Sequence, residues 1–174
     1  MKFTGVVYRA HNPRWAFAPA SGEGAARYGG RFNPPGVSAL YTSVGVETAW
    51  FEAQQGFAFK AQPLTICAYE VDCADVVDLT DLDTRLTHGV TGADLACAWE
   101  DLASRGVEPP SWRVAKGLIA GGAAGLMAPS FALGAGPAER NVVFWTWSDT
   151  PPHKVTVIDD QARLPRDGRS WQAG

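Results

Sequence analysis

Short runs rich in β-branched and aromatic residues recur along the chain and predict strands spread over its whole length. Runs of this kind, bounded by glycine, proline or polar residues, are typical of β-strands. They occupy residues 3–8, 38–43, 64–71, 76–79, 126–130, 141–147 and 154–158. Because neither an internal repeat nor a linker separates them, the pattern indicates a single α+β domain.

Three stretches between these runs carry signals of helices. The predicted helices span residues 46–55, 94–106 and 111–119. Thr91 and Asp94 resemble a capping box in front of the second helix, in which apolar residues repeat at helical spacing. Ser111 follows two prolines and is expected to cap the third helix.

The stretch from His11 to Gly30 carries two prolines and four glycines and is predicted to be a long loop. Long loops inside a compact domain are uncommon unless they have a function. We therefore regard this stretch as a candidate binding loop.

Composition and charge narrow the class of protein. The chain has 174 residues, of which 46% are hydrophobic and 19% charged, as expected for one well-packed domain. Its formal net charge is −3 and its basic residues are scattered among acidic ones, which argues against direct nucleic-acid binding. No apolar run is long enough for a transmembrane helix or resembles a signal peptide, so we expect a cytoplasmic protein.

The cysteines and histidines give no sign of a metal site or a disulfide framework. Neither CxxC spacing nor a local cluster joins Cys67, Cys73, Cys97, His11, His88 and His153. We expect no bound metal, and we expect the cysteines to fill apolar space in the interior.

Four arginines fall in or beside the predicted loop, together with Tyr28 and two adjacent glycines. The arginines are Arg9, Arg14, Arg27 and Arg31. Glycines let backbone N–H groups approach a ligand, and a guanidinium can hold a phosphate with two hydrogen bonds. The combination suits a ligand that contains a diphosphate, although surface arginines in a loop would give the same pattern.

The predicted helix 46–55 places Glu52 on a face of small residues. On a helix extended by one turn, Gly45, Ala49, Glu52 and Gly56 share one side. A neighbouring stripe is bulky enough to face the core; its members are Val46, Trp50, Ala53 and Phe57. Glu52 would then point into a space that the small residues keep open, and the alternative is a solvated surface glutamate.

Ser130 stands at the end of a predicted strand without the features of a nucleophilic serine. Its surroundings lack a GxSxG elbow, and no histidine lies near it in the sequence. Two interpretations stay open, a cap of the following turn and a hydrogen bond to a ligand.

Motifs along most of the chain resemble the RES-domain family, the toxins of bacterial toxin–antitoxin pairs. The matching segments are residues 8–9, 26–36, 39–43, 47–49 with Glu52, 128–130 and 141–144. They occur in the family's order, and the Arg, Glu and Ser that give the family its name fall on Arg31, Glu52 and Ser130. Two features differ from the family's pattern: Phe32 stands where tryptophan is common, and the sequence of residues 134–140 does not follow the pattern.

The resemblance implies a fold, a substrate and a set of site residues. The implied fold is a single-domain ADP-ribosyltransferase-like α+β fold with mixed, mainly antiparallel sheets and flanking helices, and the implied substrate is NAD. The implied catalytic residues are Glu52, Arg31 and Tyr41, and the implied NAD-binding residues are Arg31, Tyr41, Ser130, Arg9 and Tyr28. The implied domain spans residues 1–160, followed by a polar tail at 161–174.

The chemistry of NAD cleavage suits these residue types. Breaking the nicotinamide–ribose bond builds positive charge on the ribose, which Glu52 could stabilise. Arg31 could hold the diphosphate, and the ring of Tyr41 could lie against the cationic nicotinamide. Because nicotinamide leaves as a neutral molecule, no general acid is required.

The resemblance also implies an antitoxin partner with a helix-turn-helix DNA-binding domain. The acceptor of ADP-ribose is left open between a cellular protein, water and phosphate, and formation of a homo-oligomer is left open as well. The alternatives to an enzyme are a non-catalytic NAD- or nucleotide-binding module and an interaction domain.

Overall fold

A computed structural model of the protein describes residues 1–54 and 62–171. In these residues the strands are β1 (Phe3–His11), β2 (Leu40–Ser43), β3 (Thr65–Cys73), β4 (Val76–Asp78), β5 (Gly125–Pro129), β6 (Arg140–Phe144) and β7 (His153–Val157). They form one sheet in the order β4-β5-β6-β2-β1-β3-β7. All pairs are antiparallel except β4 with β5. The predicted α+β domain with a mixed, mainly antiparallel sheet is confirmed.

The sheet separates two hydrophobic clusters, because alternate side chains of each strand point to opposite faces. In β6, Val142 and Phe144 belong to one cluster and Val143 to the other. In β2, Leu40 lies in the first cluster and Tyr41 packs against the second. Both faces of the central strands are therefore covered.

Six α-helices flank the sheet in the described residues. They are α1 (Glu23–Tyr28), α2 (Val46–Ala53), α3 (Leu82–Thr87), α4 (Gly92–Leu95), α5 (Trp99–Ser104) and α6 (Pro110–Ala120). The sequence pattern missed α3, although Asp81 caps it by accepting a hydrogen bond from the Thr84 N–H at 2.8 Å. No helix in this part of the chain combines the length and the hydrophobicity needed to span a membrane.

The predicted loop over residues 11–30 is in part helical. β1 continues to His11, a 3-10 helix covers Pro13–Trp15, and α1 follows. The two alanines of α1 favour a helix, and its acidic first residue complements the helix dipole. Gly29 ends the helix with φ = 77°, a conformation that favours glycine. The prediction of a long loop was wrong for Pro13–Trp15 and Glu23–Tyr28.

The predicted helix 94–106 is divided into α4 and α5. The capping box of Thr91 and Asp94 is confirmed, but α4 ends at Leu95 and α5 begins at Trp99. A continuous helix would engage the Leu95 carbonyl in an internal hydrogen bond. The interruption releases that carbonyl, and the site described below makes use of it.

The predicted cap at Ser111 was also wrong. Pro110 occupies the first turn of α6, where its fixed φ is favourable, so the helix begins before Ser111. Ser111 is buried inside the helix, and its Oγ accepts a hydrogen bond from the Cys97 Sγ at 3.3 Å. Cys67 and Cys73 are buried as expected, whereas Cys97 is partly exposed.

Helix α2 faces the sheet with a different side from the one predicted. Its buried residues are Thr48 and Ala49, whereas Val46 is 43% exposed and Ala53 is exposed. The small side chain of Ala49 allows α2 to pack closely against β1 and β2. The small-residue side of α2 therefore faces inward, and Val46 and Trp50 do not form the expected core stripe. Residues 55, 56 and 57 of that prediction lie outside the described residues.

The predicted division at residue 160 stays a prediction. Leu164 packs against the first hydrophobic cluster, and Gly168 lies against the ring of Phe17. A 3-10 helix covers Arg169–Trp171.

Candidate active site

A cleft opens where β1 and β2 separate. β1 pairs with β3 over nine residues, but it pairs with β2 only between Tyr8 and Ser43. Beyond that pair the two strands diverge, and a cleft of about 440 Å³ lies beside them. This volume falls in the range of about 300–1,000 Å³ that is typical of small-molecule sites.

The cleft brings together most of the residues that the sequence singled out. Its lining includes Arg9, Tyr28, Arg31, Tyr41, Glu52 and Asn141. Ser130 is not part of the lining, but it contacts Glu52 directly. The site is therefore assembled from β1, β2, β6, the C-terminal end of α1 and one side of α2.

Two side chains hold the carboxylate of Glu52. The Ser130 Oγ donates a hydrogen bond to Glu52 Oε1 at 2.6 Å, and the Asn141 Nδ2 donates to the same oxygen. Ser130 also accepts a hydrogen bond from the Ala132 N–H at 3.3 Å, as the cap interpretation proposed. Glu52 is half-buried, so these donors compensate for the water that its carboxylate loses.

Arg31 faces Glu52 across the cleft. Its Nη1 donates to the carbonyls of Leu95 at 3.1 Å and Cys97 at 2.7 Å, both at the break between α4 and α5. Its guanidinium lies 4.7 Å from the centre of the Phe131 ring. Burial lowers the pKa of Arg31, while the nearby carboxylate of Glu52 acts in the opposite direction. The anchored Nη1 leaves the remaining edge of the guanidinium, Nη2 and Nε, as the part suited to a phosphate.

The hydroxyl of Tyr41 fixes the loop that carries Arg31. It accepts a hydrogen bond from the Phe32 N–H at 2.8 Å and donates one to Asn33 Oδ1 at 2.7 Å. Burial raises the pKa of Tyr41 well above its ordinary value, so the hydroxyl stays protonated and can donate. A Cβ on Gly30 would lie only 2.5 Å from this hydroxyl, which explains why glycine is required there.

Two tryptophans hold the same loop from the other side. The Trp112 indole N–H donates to the Gly30 carbonyl at 2.8 Å, and the Trp145 indole N–H donates to the Phe32 carbonyl at 2.9 Å. The loop is thus bound on both sides of Arg31. This arrangement keeps the guanidinium in place before any ligand arrives.

Arg9 and Tyr28 lie at the margin of the site. The Arg9 Nη1 donates to the carbonyls of Pro19 and Ser21, each at 2.9 Å, and burial lowers its pKa. Its main contacts therefore stabilise the segment that follows β1. Tyr28 is 74% exposed on the rim of the cleft, with Arg27 near its ring.

Asn141 and His11 line the cleft, and neither had a role assigned from the sequence. Asn141 lies in a matching motif, but only its position opposite Ser43 in the sheet brings it to Glu52. His11 has two buried ring nitrogens without a hydrogen-bond partner in the described structure. Burial, together with the positive charge of Arg9, lowers the pKa of His11 to about 4. The signal that the sequence offered for Asn141 was its polar side chain within an otherwise apolar stretch of the strand.

The described residues contain no group of three or more histidine, cysteine, aspartate or glutamate side chains suited to a metal ion. The chemical groups in the cleft include the fixed carboxylate of Glu52, the anchored guanidinium groups of Arg31 and Arg9, and the buried hydroxyl of Tyr41. Together they suit a ligand that carries both anionic and cationic parts.

Fold and cleft define an α+β domain with a ligand site between diverging strands. The family model of the RES domain matches residues 6–167, and the chain belongs to that family. The fold is similar to that of a chain in the crystal structure of the M. tuberculosis MbcT–MbcA toxin–antitoxin complex, with a TM-score of 0.61. That match covers 91% of this chain and 84% of the other at 21% sequence identity. A comparison with curated protein sequences gave no significant match.

Proposed function

We propose that this protein is a toxin that cleaves the nicotinamide–ribose bond of NAD and transfers ADP-ribose to an acceptor. The observation that carries the proposal is the carboxylate of Glu52, which Ser130 and Asn141 hold at the wall of a cleft that also contains Arg31. Membership of the RES-domain family supports the same class of activity.

The reaction needs a negative charge beside the ribose. As the bond between ribose C1′ and the nicotinamide nitrogen breaks, its electron pair goes to the nicotinamide, which leaves neutral. Positive charge develops on C1′ and the ring oxygen of the ribose. Glu52 stabilises this charge, and the acceptor then attacks C1′ and loses its proton to the solvent. Because the carboxylate is already oriented, little reorganisation is needed during the reaction.

The remaining residues bind and orient the substrate. Arg31 offers Nη2 and Nε to the diphosphate, since Nη1 is occupied by two carbonyls. Tyr41 places its ring at the cleft wall, and its hydroxyl holds the loop of Arg31. Tyr28 on the rim and Arg9 beside β1 are the outer binding residues, and Ser130 acts through Glu52.

The reaction products identify the acceptor. With water the product is ADP-ribose, with phosphate it is ADP-ribose 1″-phosphate, and with a protein it is a covalent adduct. The purified protein is incubated with NAD in the presence or absence of phosphate and of bacterial lysate, and the products are separated and weighed by mass spectrometry. Each of the three products supports the proposal, whereas intact NAD in all samples contradicts it.

The partner in the proposed system is an antitoxin. The MbcT–MbcA structure is a toxin–antitoxin complex. We propose that the antitoxin of this chain carries a helix-turn-helix DNA-binding domain, as the resemblance stated from the sequence implied. We propose that the antitoxin covers or distorts the cleft at Arg31 and Tyr41, and that expression of the chain alone arrests bacterial growth. A structure of the complex with the cleft fully open to NAD would exclude the steric form of this proposal.

A further inference from the structure

Three neighbouring strands bring a chain of side chains to Glu52. In the sheet, Ser43 of β2 stands directly opposite Asn141 of β6, and Asn141 stands opposite Ala128 of β5. Cross-strand partners point to the same face, so the side chains of Ser43 and Asn141 meet. Ser130 follows β5 by one residue and reaches Glu52 from the neighbouring strand.

The hydrogen bonds of this chain run in one direction. The Ser43 Oγ donates to Asn141 Oδ1 at 2.7 Å, and the Asn141 Nδ2 donates to Glu52 Oε1. If the amide were turned over, Asn141 Oδ1 would face the carboxylate, and two acceptors would oppose each other. In the orientation that lets Nδ2 donate to Glu52, Oδ1 faces the hydroxyl of Ser43, and the hydrogen bond from this residue, which is 2% exposed, holds the amide in place.

We propose that Asn141, oriented by Ser43, is a positioning residue that fixes the rotation of the Glu52 carboxylate toward the substrate ribose. This inference rests on the proposed function, because it assigns the role of Glu52 to that reaction. A glutamate side chain has three rotatable bonds, and Oε1 is held by donors from two directions, Ser130 and Asn141. Loss of the Asn141 donor removes one of these two directions of contact.

Arg31 and Tyr41 line the same cleft and act on Glu52 electrostatically. Both residues are unchanged in the variants proposed below, so a difference in kcat between those variants and the wild type reports the contact that Asn141 makes.

The test is a double-mutant cycle on nicotinamide release, with NAD as the substrate. Asn141→Leu keeps the branched outline but removes the donor, and we expect kcat to fall about 10–100-fold while KM stays within about threefold. Ser43→Ala should lower kcat about 3–10-fold. If Ser43 acts through Asn141, the double variant should match Asn141→Leu within about twofold.

Two further variants separate positioning from stability. Thr80→Val removes a comparable hydroxyl bond, from Thr80 Oγ1 to Asp78 Oδ1 at 2.6 Å, at the edge strand β4, and should leave kcat unchanged. Asn141→Asp nearly preserves the shape and puts an acceptor against Glu52. The kcat of Asn141→Asp should fall at least as far as that of Asn141→Leu. Between pH 6 and pH 8 its kcat should also decrease more steeply than that of the wild type, because at the lower pH a proton shared between the two carboxylates restores a donor. This variant replaces the leucine variant if the latter does not fold.

The outcomes distinguish the two proposals. If the wild type releases no nicotinamide in buffer alone, with phosphate or with bacterial lysate, the proposed function fails and the inference fails with it. If the wild type is active and folded Asn141 variants keep its kcat, only the inference is overturned. Multiplicative losses from Ser43→Ala and Asn141→Leu would also overturn it, because they would make the two residues independent.

Discussion

Glu52→Gln removes one negative charge from the cleft and leaves the shape of the side chain unchanged. In the structure, Ser130 and Asn141 both donate to Oε1. The carbonyl oxygen of glutamine can occupy the same position and accept both bonds, with its NH₂ group turned away from the two donors. The substitution therefore tests the charge and preserves these two hydrogen bonds.

The expected effect on the rate follows from the position of that charge. Loss of one prearranged electrostatic group typically costs about 3–4 kcal/mol of transition-state stabilisation. At about 1.4 kcal/mol for each tenfold change, nicotinamide release should fall by about 10²–10³-fold. Two hydrogen bonds to a charged acceptor become bonds to a neutral one, so we expect the free energy of unfolding to fall by only about 1–3 kcal/mol.

The assay measures kcat for nicotinamide release by chromatography, NAD affinity by calorimetry, and stability by thermal unfolding. NAD affinity should change by less than about tenfold, because the charge matters mainly in the transition state. Glu47→Gln on the exposed side of the same helix is the matched control and should behave like the wild type. Release of nicotinamide by Glu52→Gln at the wild-type rate would refute the reasoning.

Three further predictions concern the walls of the cleft. Arg31→Lys should raise KM for NAD about tenfold or more in steady-state kinetics, because an ammonium cannot serve two carbonyls and a phosphate in the geometry of the guanidinium; an unchanged KM would contradict this. Tyr41→Phe should lower the free energy of unfolding by about 1–3 kcal/mol in denaturant titrations, because the Phe32 N–H and Asn33 Oδ1 lose their partner; equal stability would count against the loop-holding role. His11 has a folded-state pKa of about 4 and an ordinary value near 6.5, so the unfolded state binds more protons between these values and stability falls as the pH drops through that window. His11→Gln should reduce this acid-dependent loss by about 1–2 kcal/mol, allowing for the partial exposure of the ring, and identical pH profiles for the variant and the wild type would refute the assignment.

The strands were predictable because their signal is local. Runs of β-branched and aromatic residues marked all seven, with boundaries that differ by only a few residues from those in the structure. Which strands pair with one another could not be predicted, because pairing joins residues that are far apart in the sequence. The single contact between Tyr8 and Ser43, which opens the cleft, depends on how β1 and β2 diverge in the folded sheet.

The helices were predicted less well because tertiary contacts override their local patterns. Apolar spacing favoured one helix over residues 94–106, but the carbonyls of Leu95 and Cys97 bind Arg31, which lies more than sixty residues earlier in the chain. In α2 the bulk of Val46 and Trp50 suggested the core face, whereas close packing on the sheet selected Ala49. In both cases tertiary contacts, with Arg31 in the first and with the sheet in the second, account for the departure from the local rule.

The candidate site was predictable in its residue types and unpredictable in its contacts. Glu52, Arg31 and Tyr41 line one cleft, as the resemblance implied, and their catalytic roles stay predictions. The hydroxyl of Tyr41 binds the loop of Arg31, although the sequence suggested a role for its ring. Asn141 could not be assigned from the sequence, because its contact with Glu52 spans 89 positions.

The most direct test of the account is the amount of free nicotinamide that the purified protein releases from NAD over time, in buffer alone, with phosphate, and with bacterial lysate as a source of protein acceptors. The account predicts that this amount exceeds the amount of protein several-fold, with equimolar loss of NAD, and that Glu47→Gln behaves like the wild type while Glu52→Gln releases almost none over the same period. NAD that binds to the protein and stays intact throughout would contradict the central claim that the cleft is an active site.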